Sequence, residues 1–486
     1  MKHHDIALRL ASSALCGALL LTGCGQAVPA ATTEPSTVPT TQETVSIVTE
    51  ATEERPTLAT LPPRDPTALA VPEYPVMNPY PQMDMDDFDP DKYEELVTKW
   101  YETVELQRPE PGYADGLEHF WQKGMTAFLG QDTIQNKVIS PVNLYMALGM
   151  LAQVTDGDSR TQILTALGGG TMSHLRKQLN DVWNAQYRDD GATTMVLANS
   201  LWLNEDLPYN MDTLHTLSKS AMASSHAGVP GSPELDQAYR DWINQQTGDL
   251  LQAQVDGMTL DPSLVLALVS TVNYHAKWMD PFQEEMTVPK IFHGKGGKDA
   301  EVPFLHREMQ QNYFEAENFT ALPLELENDG GMLWLLRPAQ GRTPESLMQQ
   351  EETFRFLEDP WSWENNRYVK VQFSMPKFDI TTDLDLKEGF AALGISNVFD
   401  ARNADFSPLL TEEMPISLTQ ARHAVRFAAD EEGITAVSFV ELQMAGDGRP
   451  PEEEVDFTLD HPFLFVLTTK DGLPLFAGVL NQLEAE

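Results

Sequence analysis

Cysteine is nearly absent: Cys16 and Cys24 are the two in 486 residues, and both lie near the N-terminus. A disulfide framework and a thiolate zinc site are therefore excluded for the bulk of the chain. Positive charge is scarce as well, with 32 Lys and Arg against 73 Asp and Glu and a formal net charge of −41. Such a surface repels nucleic acid and anionic lipid, so no nucleic-acid partner is expected. The charge reads first as a solubility device, and any partner it steers is cationic. Catalytic patterns are missing too. No G-x-S-x-G marks a nucleophile elbow, no H-E-x-x-H marks a zinc helix, and Gly294-Lys295-Gly296-Gly297-Lys298 lacks the Ser or Thr that closes a phosphate loop. The histidines are scattered, with only His3 and His4 adjacent. The glycines at 168–170 read as a helix stop and turn. The expectation is a protein that is not an enzyme and uses no metal or cofactor.

Long apolar runs are also lacking. Ala14 to Leu21 follows Lys2 and Arg9 and is too short to span a bilayer, which is the pattern of an export signal. It ends in Leu21-Thr22-Gly23-Cys24, which resembles the bacterial lipobox. That resemblance implies a signal peptide over residues 1–23, acylation of Cys24, and a protein held to the outside of a cell envelope by its lipid. Residues 24–90 then read as a Thr-, Pro- and Glu-rich tether, without apolar periodicity from Gly25 to about Pro81. A flexible stretch of that length has a reach of roughly 40 Å. In residues 91–113, Tyr93, Leu96, Trp100 and Val104 fall at helical spacing, and Arg108 to Gly112 closes the pattern.

The ordered domain is expected over residues 114–486, and 42% apolar residues are enough for a large core. Leu117, Phe120, Trp121 and Phe128 mark a first helix. Ser140 to Gln153 is apolar almost all round and so should be a buried one. Strand signals come later. Val369 to Ile380 alternates, the run around Leu266 to Trp278 has strand character, and Lys470-Asp471-Gly472 sits between two apolar runs as a hairpin turn. Early helices and late strands without βαβ alternation predict an α+β fold.

These motifs, taken in order, resemble the serpin family from Ala114 to Asn481. The matching features include Asn136, Ser140-Pro141, "ALGMLAQVTDGDSRTQILTALG", "LANSLWLNEDLPYN", Trp242 and Thr247. Further along stand "LALVSTVNYHAKWMDPF", "KIFHGKGGKDAEVPFLH", "SMPKFDITTDLDLKEGF" and the closing "FTLDHPFLFVL". The resemblance implies a serpin fold of three β-sheets with eight or nine helices and an exposed reactive-centre loop, here from about Gly433 to Val455. It also implies a monomeric protease inhibitor whose partner, a serine or cysteine protease, is trapped when the cut loop inserts into the main sheet.

Insertion requires small or apolar side chains on alternate, inward-facing positions. Counted from a hinge at Glu431 and Gly433, these are Ile434, Ala436, Ser438 and Val440. The family usually has Thr or Ser at the position of Ile434 and small residues beyond it, whereas Val437 and Phe439 stand here, facing outward. A count of seventeen from Glu431 ends on Asp447 and gives Asp447–Gly448 as the nominal cut bond. Met444, Ala445 and Arg449 are the other candidates, with Arg449 followed by Pro450. Glu452 to Glu454 read as a solvated charge run or as a match to a basic target. Matched to the family's shutter are Ser140, Asn143, Ser270 and His423, with Ser270 and Asn143 departing from the usual residues while able to bond His423. Two other functions stay open: a non-inhibitory serpin fold used for binding or as a chaperone, and a structural or adhesive surface lipoprotein.

Overall fold

A computed structural model describes residues 65–81, 89–434, 451 and 453–485. Its centre is the helix Pro141–Val154. The Ser140 side chain caps it by accepting from the Asn143 N–H, and Pro141 sits in the first turn, where its missing N–H costs nothing. Thirteen of its fourteen residues are buried, because it lies between two sheets. Gly149 permits the neighbouring helix Met172–Gln186 to approach: a Cβ there would lie 2.4 Å from Leu179 Cδ2.

One sheet has eight strands. Its path runs β1 (Ala68–Ala70), β5 (Ala223–Gly228), β4 (Thr194–Asn204), β6 (Leu266–Lys277), β14 (Gly433–Ile434), β13 (Gln420–Ala429) and β12 (Phe378–Asp385), with β3 (Arg188–Asp189) pairing to β4. The other has nine strands, in the path β15 (Glu454–Thr458), β11 (Asn366–Pro376), β8 (Lys298–Glu315), β9 (Phe319–Leu326), β10 (Gly331–Pro338), β16 (Phe463–Thr468), β17 (Pro474–Leu480) and β2 (Lys137–Ile139). In it β7 (Val288–Gly294) pairs with β8. Three sheets were the expectation; among the described residues the ladders join into two. The 18 residues of β8 pair with β7, β11 and β9 along their length and so fuse neighbouring layers.

Two sequence readings need correction. Val369 to Ile380 alternates as one strand, yet it breaks at Lys377: β11 belongs to the nine-stranded sheet and β12 to the eight-stranded one. The stretch expected to remain a tether as far as Pro81 is part of the fold from Asp65. Ala68 and Ala70 pair with His226 and Ser225 on β5. The Tyr74 ring lies 4.9 Å from Trp183 and 5.7 Å from Tyr187. Tyr80 N donates to Asp190 O at 2.8 Å. The helix Pro90–Gln107, capped by Asp89, buries Trp100 and Val104, and Trp100 Nε1 donates to Asn78 O at 2.9 Å. Composition averaged over the Thr- and Pro-rich stretch hides these few apolar anchors. We call residues 65–81 the strap.

Candidate functional site

β6 and β13 stand side by side but share little. They pair in parallel only at Ala267–Gln420 and Leu268–Ala421. At the far end the short β14 lies between them, with Gly433 and Ile434 antiparallel to Lys277 and Ala276 and Ile434 opposite Ala429. Between these ends, residues 269–275 and 422–428 share no ladder with each other and, among the described residues, have no strand between them. The parted stretch is lined from within by Val272, Tyr274, Val425, Phe427, Ile434 and Phe476. Strand edges that face one another without pairing are a standing energetic cost, and each backbone bond regained there is worth about 1 kcal/mol.

Residues 430–434, where the sequence placed a hinge, are held at the β14 end. Trp278 Nε1 donates to Asp430 O at 2.9 Å, Trp278 N to Glu432 O at 2.9 Å, and Phe282 N to Glu431 O at 2.8 Å. The Glu431 carboxylate accepts from Lys377 Nζ at 2.7 Å and Thr287 Oγ1 at 2.9 Å. Burial alone would raise its pKa, but these two partners bring it below the ordinary carboxylate value. Asp430 Oδ1 accepts from the backbone of Glu432 at 3.0 Å and of Gly433 at 3.2 Å, closing the turn into β14. Gly433 is required by space: a Cβ would lie 2.3 Å from Ala276 O. Ile434 is 2% exposed and seated in the parting.

Deeper down lie Ser140, Asn143, Ser270 and His423, the four residues matched to the family's shutter. Ser140 N donates to His423 Nε2 at 2.9 Å, which ties the start of the central helix to β13. His423 is buried, and the loss of solvent drops its pKa to about 4. Neither Asn143 nor Ser270, though each is able to bond His423, does so. Asn143 Oδ1 is buried without a hydrogen-bond partner. Ser270 Oγ donates instead to Asn199 Oδ1 at 2.7 Å, and Asn199 Nδ2 in turn donates to Ala221 O at 2.8 Å. Ser270 therefore ties β6 to β4, on the side away from β13. Asn199, Trp278, Thr287 and Lys377 were missed as site residues. Trp278 and Lys377 stand inside the motifs "AKWMDPF" and "MPKF", whereas Asn199 meets Ser270 only through strand register.

Of the other residues singled out in the sequence, Cys24, Ala436, Ser438, Val440, Met444, Ala445, Asp447, Gly448 and Arg449 lie outside the described residues. Beyond them the chain re-enters the nine-stranded sheet, where β15 runs parallel to β11. Glu453 pairs with Arg367, and Lys370 Nζ lies 3.7 Å from Glu454 and 3.0 Å from Glu308. Two of the three glutamates in the charge run are thus engaged within the fold. Among the described residues no three His, Cys, Asp or Glu side chains gather as metal ligands.

Residues 118–483 match the family model described as Serpin (serine protease inhibitor). Plasminogen activator inhibitor 1 of Sus scrofa is 25% identical over 372 residues, spanning 72% of this chain and 87% of that one. Among solved structures, the native state of the thermophilic serpin tengpin aligns with a TM-score of 0.68 at 21% identity, covering 77% of this chain and 95% of that one. Human thyroxine-binding globulin aligns with a TM-score of 0.67 at 18% identity, covering 76% and 98%.

Proposed function

The chain belongs to the serpin family, and from that premise we propose that it is a suicide-substrate inhibitor of a serine or cysteine protease, presented outside the cell by a lipid on Cys24. The observation that carries this reading is the parting between β6 and β13, with Ile434 already seated at its open end. A strand continuing from Ile434 would pair on both sides at once. Its inward positions would be Ala436, Ser438 and Val440, none of which brings a charge into the core. A protease acylated on the cut loop is carried along by that insertion before deacylation frees it. The chain thus acts once and does not turn over. The bait is one of Asp447, Met444, Ala445 or Arg449. Engagement of Glu453 and Glu454 by Arg367 and Lys370 argues against that charge run as the protease contact.

A second reading, a serpin fold used for binding, draws on the bulk of Val437 and Phe439, which slows insertion relative to deacylation. Thyroxine-binding globulin bears by name a binding role on a similar fold. Incubating the protein with a panel of serine and cysteine proteases and running denaturing gels separates the two. A denaturant-resistant band at the summed mass, with the released peptide identifying the cut bond, is the expected result. Nicked inhibitor beside fully active protease, for every member of the panel, overturns the inhibitory reading.

A further inference from the structure

The strap forms one wall of a groove of about 1420 Å³ at the edge of the eight-stranded sheet. The opposite wall is the helix Pro233–Thr247, and Ser224 and His226 of β5 are the floor. The strap precedes residues 118–483, the stretch that matches the family model, so one wall of this groove lies outside the family pattern.

The two walls differ in chemistry. The strap lines the groove with Pro66, Leu69, Val71 and Pro72. Tyr74 packs against the core, whereas Leu69 and Val71 remain 36% and 38% exposed. Facing them, Glu234, Gln237, Ala238, Asp241 and Gln245 recur at helical spacing and so share one side of the helix. Glu234 and Asp241 are exposed, and Glu73 adds a further exposed carboxylate on the strap side. Among the described residues no Lys or Arg lines the groove. Arg240, on the same helix, donates to Met258 O at 2.7 Å and to Gln237 Oε1 at 3.0 Å. His226, the one lining group able to carry positive charge, is bonded to Asp65 at 2.9 Å.

The volume exceeds the roughly 300–1,000 Å³ of small-molecule sites. The helix wall, 15 residues long, runs for about 22 Å, the span of about six or seven residues of extended chain. Alternate side chains of such a chain point to opposite sides, one set toward the carboxylates of the helix and the other toward the apolar strap. From these facing walls we infer that the groove binds an extended peptide segment of a partner protein in which basic and apolar residues alternate. The formal charge of −41 draws such a segment in. This binding does not depend on the insertion mechanism proposed above.

The test uses the full chain and the capped, fluorescently labelled hexapeptide Lys-Leu-Lys-Val-Arg-Leu, followed by anisotropy at physiological salt. Saturable binding of one peptide per chain is expected. Glu234→Gln combined with Asp241→Asn, both at exposed positions, should weaken it roughly three- to twentyfold through two ion pairs. Leu69→Ser should weaken it about fivefold. Glu301→Gln removes an exposed carboxylate of β8 outside the groove and should leave the affinity unchanged. The block-ordered peptide Lys-Lys-Arg-Leu-Val-Leu should bind several-fold more weakly, because its charges cannot all face one wall. Full affinity in the double variant, an equal loss in Glu301→Gln, or equal binding of the block-ordered peptide assigns the binding to diffuse charge and overturns the site. Unchanged binding to Leu69→Ser removes the strap from the contact and overturns it likewise.

Discussion

Gly433 sits where backbone meets backbone, and the 2.3 Å that would separate a Cβ from Ala276 O leaves no soft side chain to yield. Gly433→Ala should therefore push β14 out of the sheet. The expected cost is about 1–3 kcal/mol in unfolding free energy, with a larger share of the inhibitor nicked without trapping; equal stability and equal complex yield would contradict the close-approach argument. His423 carries a pH dependence of definite sign. Its pKa is about 4 in the fold against an ordinary 6.5, so the unfolded chain takes the proton more readily. Its contribution is whole above pH 6.5 and is lost as pH falls toward 4, about 3 kcal/mol in all. Thermal unfolding across that window should show a shallower decline in His423→Gln, whose amide oxygen can still accept from Ser140. An identical slope would assign the decline to other groups. Glu431 and Gly433 could be singled out from the sequence because they stand in one contiguous stretch that resembles the family's hinge. The partners of Glu431, Lys377 and Thr287, come from distant strands, and that Ser270 bonds Asn199 follows only from how β4 and β6 are set against each other.

The strap shows how a short apolar element escapes notice in polar company. Ala68 to Val71 and Tyr74 stand in a Pro- and Thr-rich stretch that looks like spacer, and only the free edge of β5 and the aromatic pair Trp183–Tyr187 give them something to bury against. Asp65 fastens its start. A hydrogen bond from His226 at 2.9 Å outweighs burial and brings the carboxyl to about 2. Tyr74→Ala should release the strap at a cost of about 2–4 kcal/mol. Hydrogen exchange would report this as lost amide protection in Ala68–Ala70 and in the facing residues of β5. Full protection in the variant would mean that Asp65 alone holds the element. The break between β11 and β12 was hidden for a different reason. Alternation runs through Pro376 and Lys377 without a glycine, so the pattern records which side chains are buried and not which sheet buries them.

For the molecule as a whole, the α+β class and the order of helices and strands could be read from the sequence, since they follow from local periodicity. The parting in the eight-stranded sheet could not, because it is a relation between residues some 150 positions apart. If residues 435–440 enter it, their N–H and C=O groups regain bonds on both sides, on the order of 10 kcal/mol at about 1 kcal/mol each. Cleavage in the loop should then raise the thermal midpoint by roughly 10 °C or more, and a nicked protein that melts where the intact one does would sink the mechanism. The back wall of that parting has its own history. Phe476 of β17 forms part of it, packed 5.6 Å from Phe427, and β17 is itself anchored by Gly478 opposite Val138. On a ribosome, which makes chains from the N-terminus onward, β17 is synthesised after the loop. While residues 435–440 are newly made, the Phe476 wall behind the parting has not yet been translated. If the proposed insertion is the deeper energy well, order of birth defers it until the closing strands are in place.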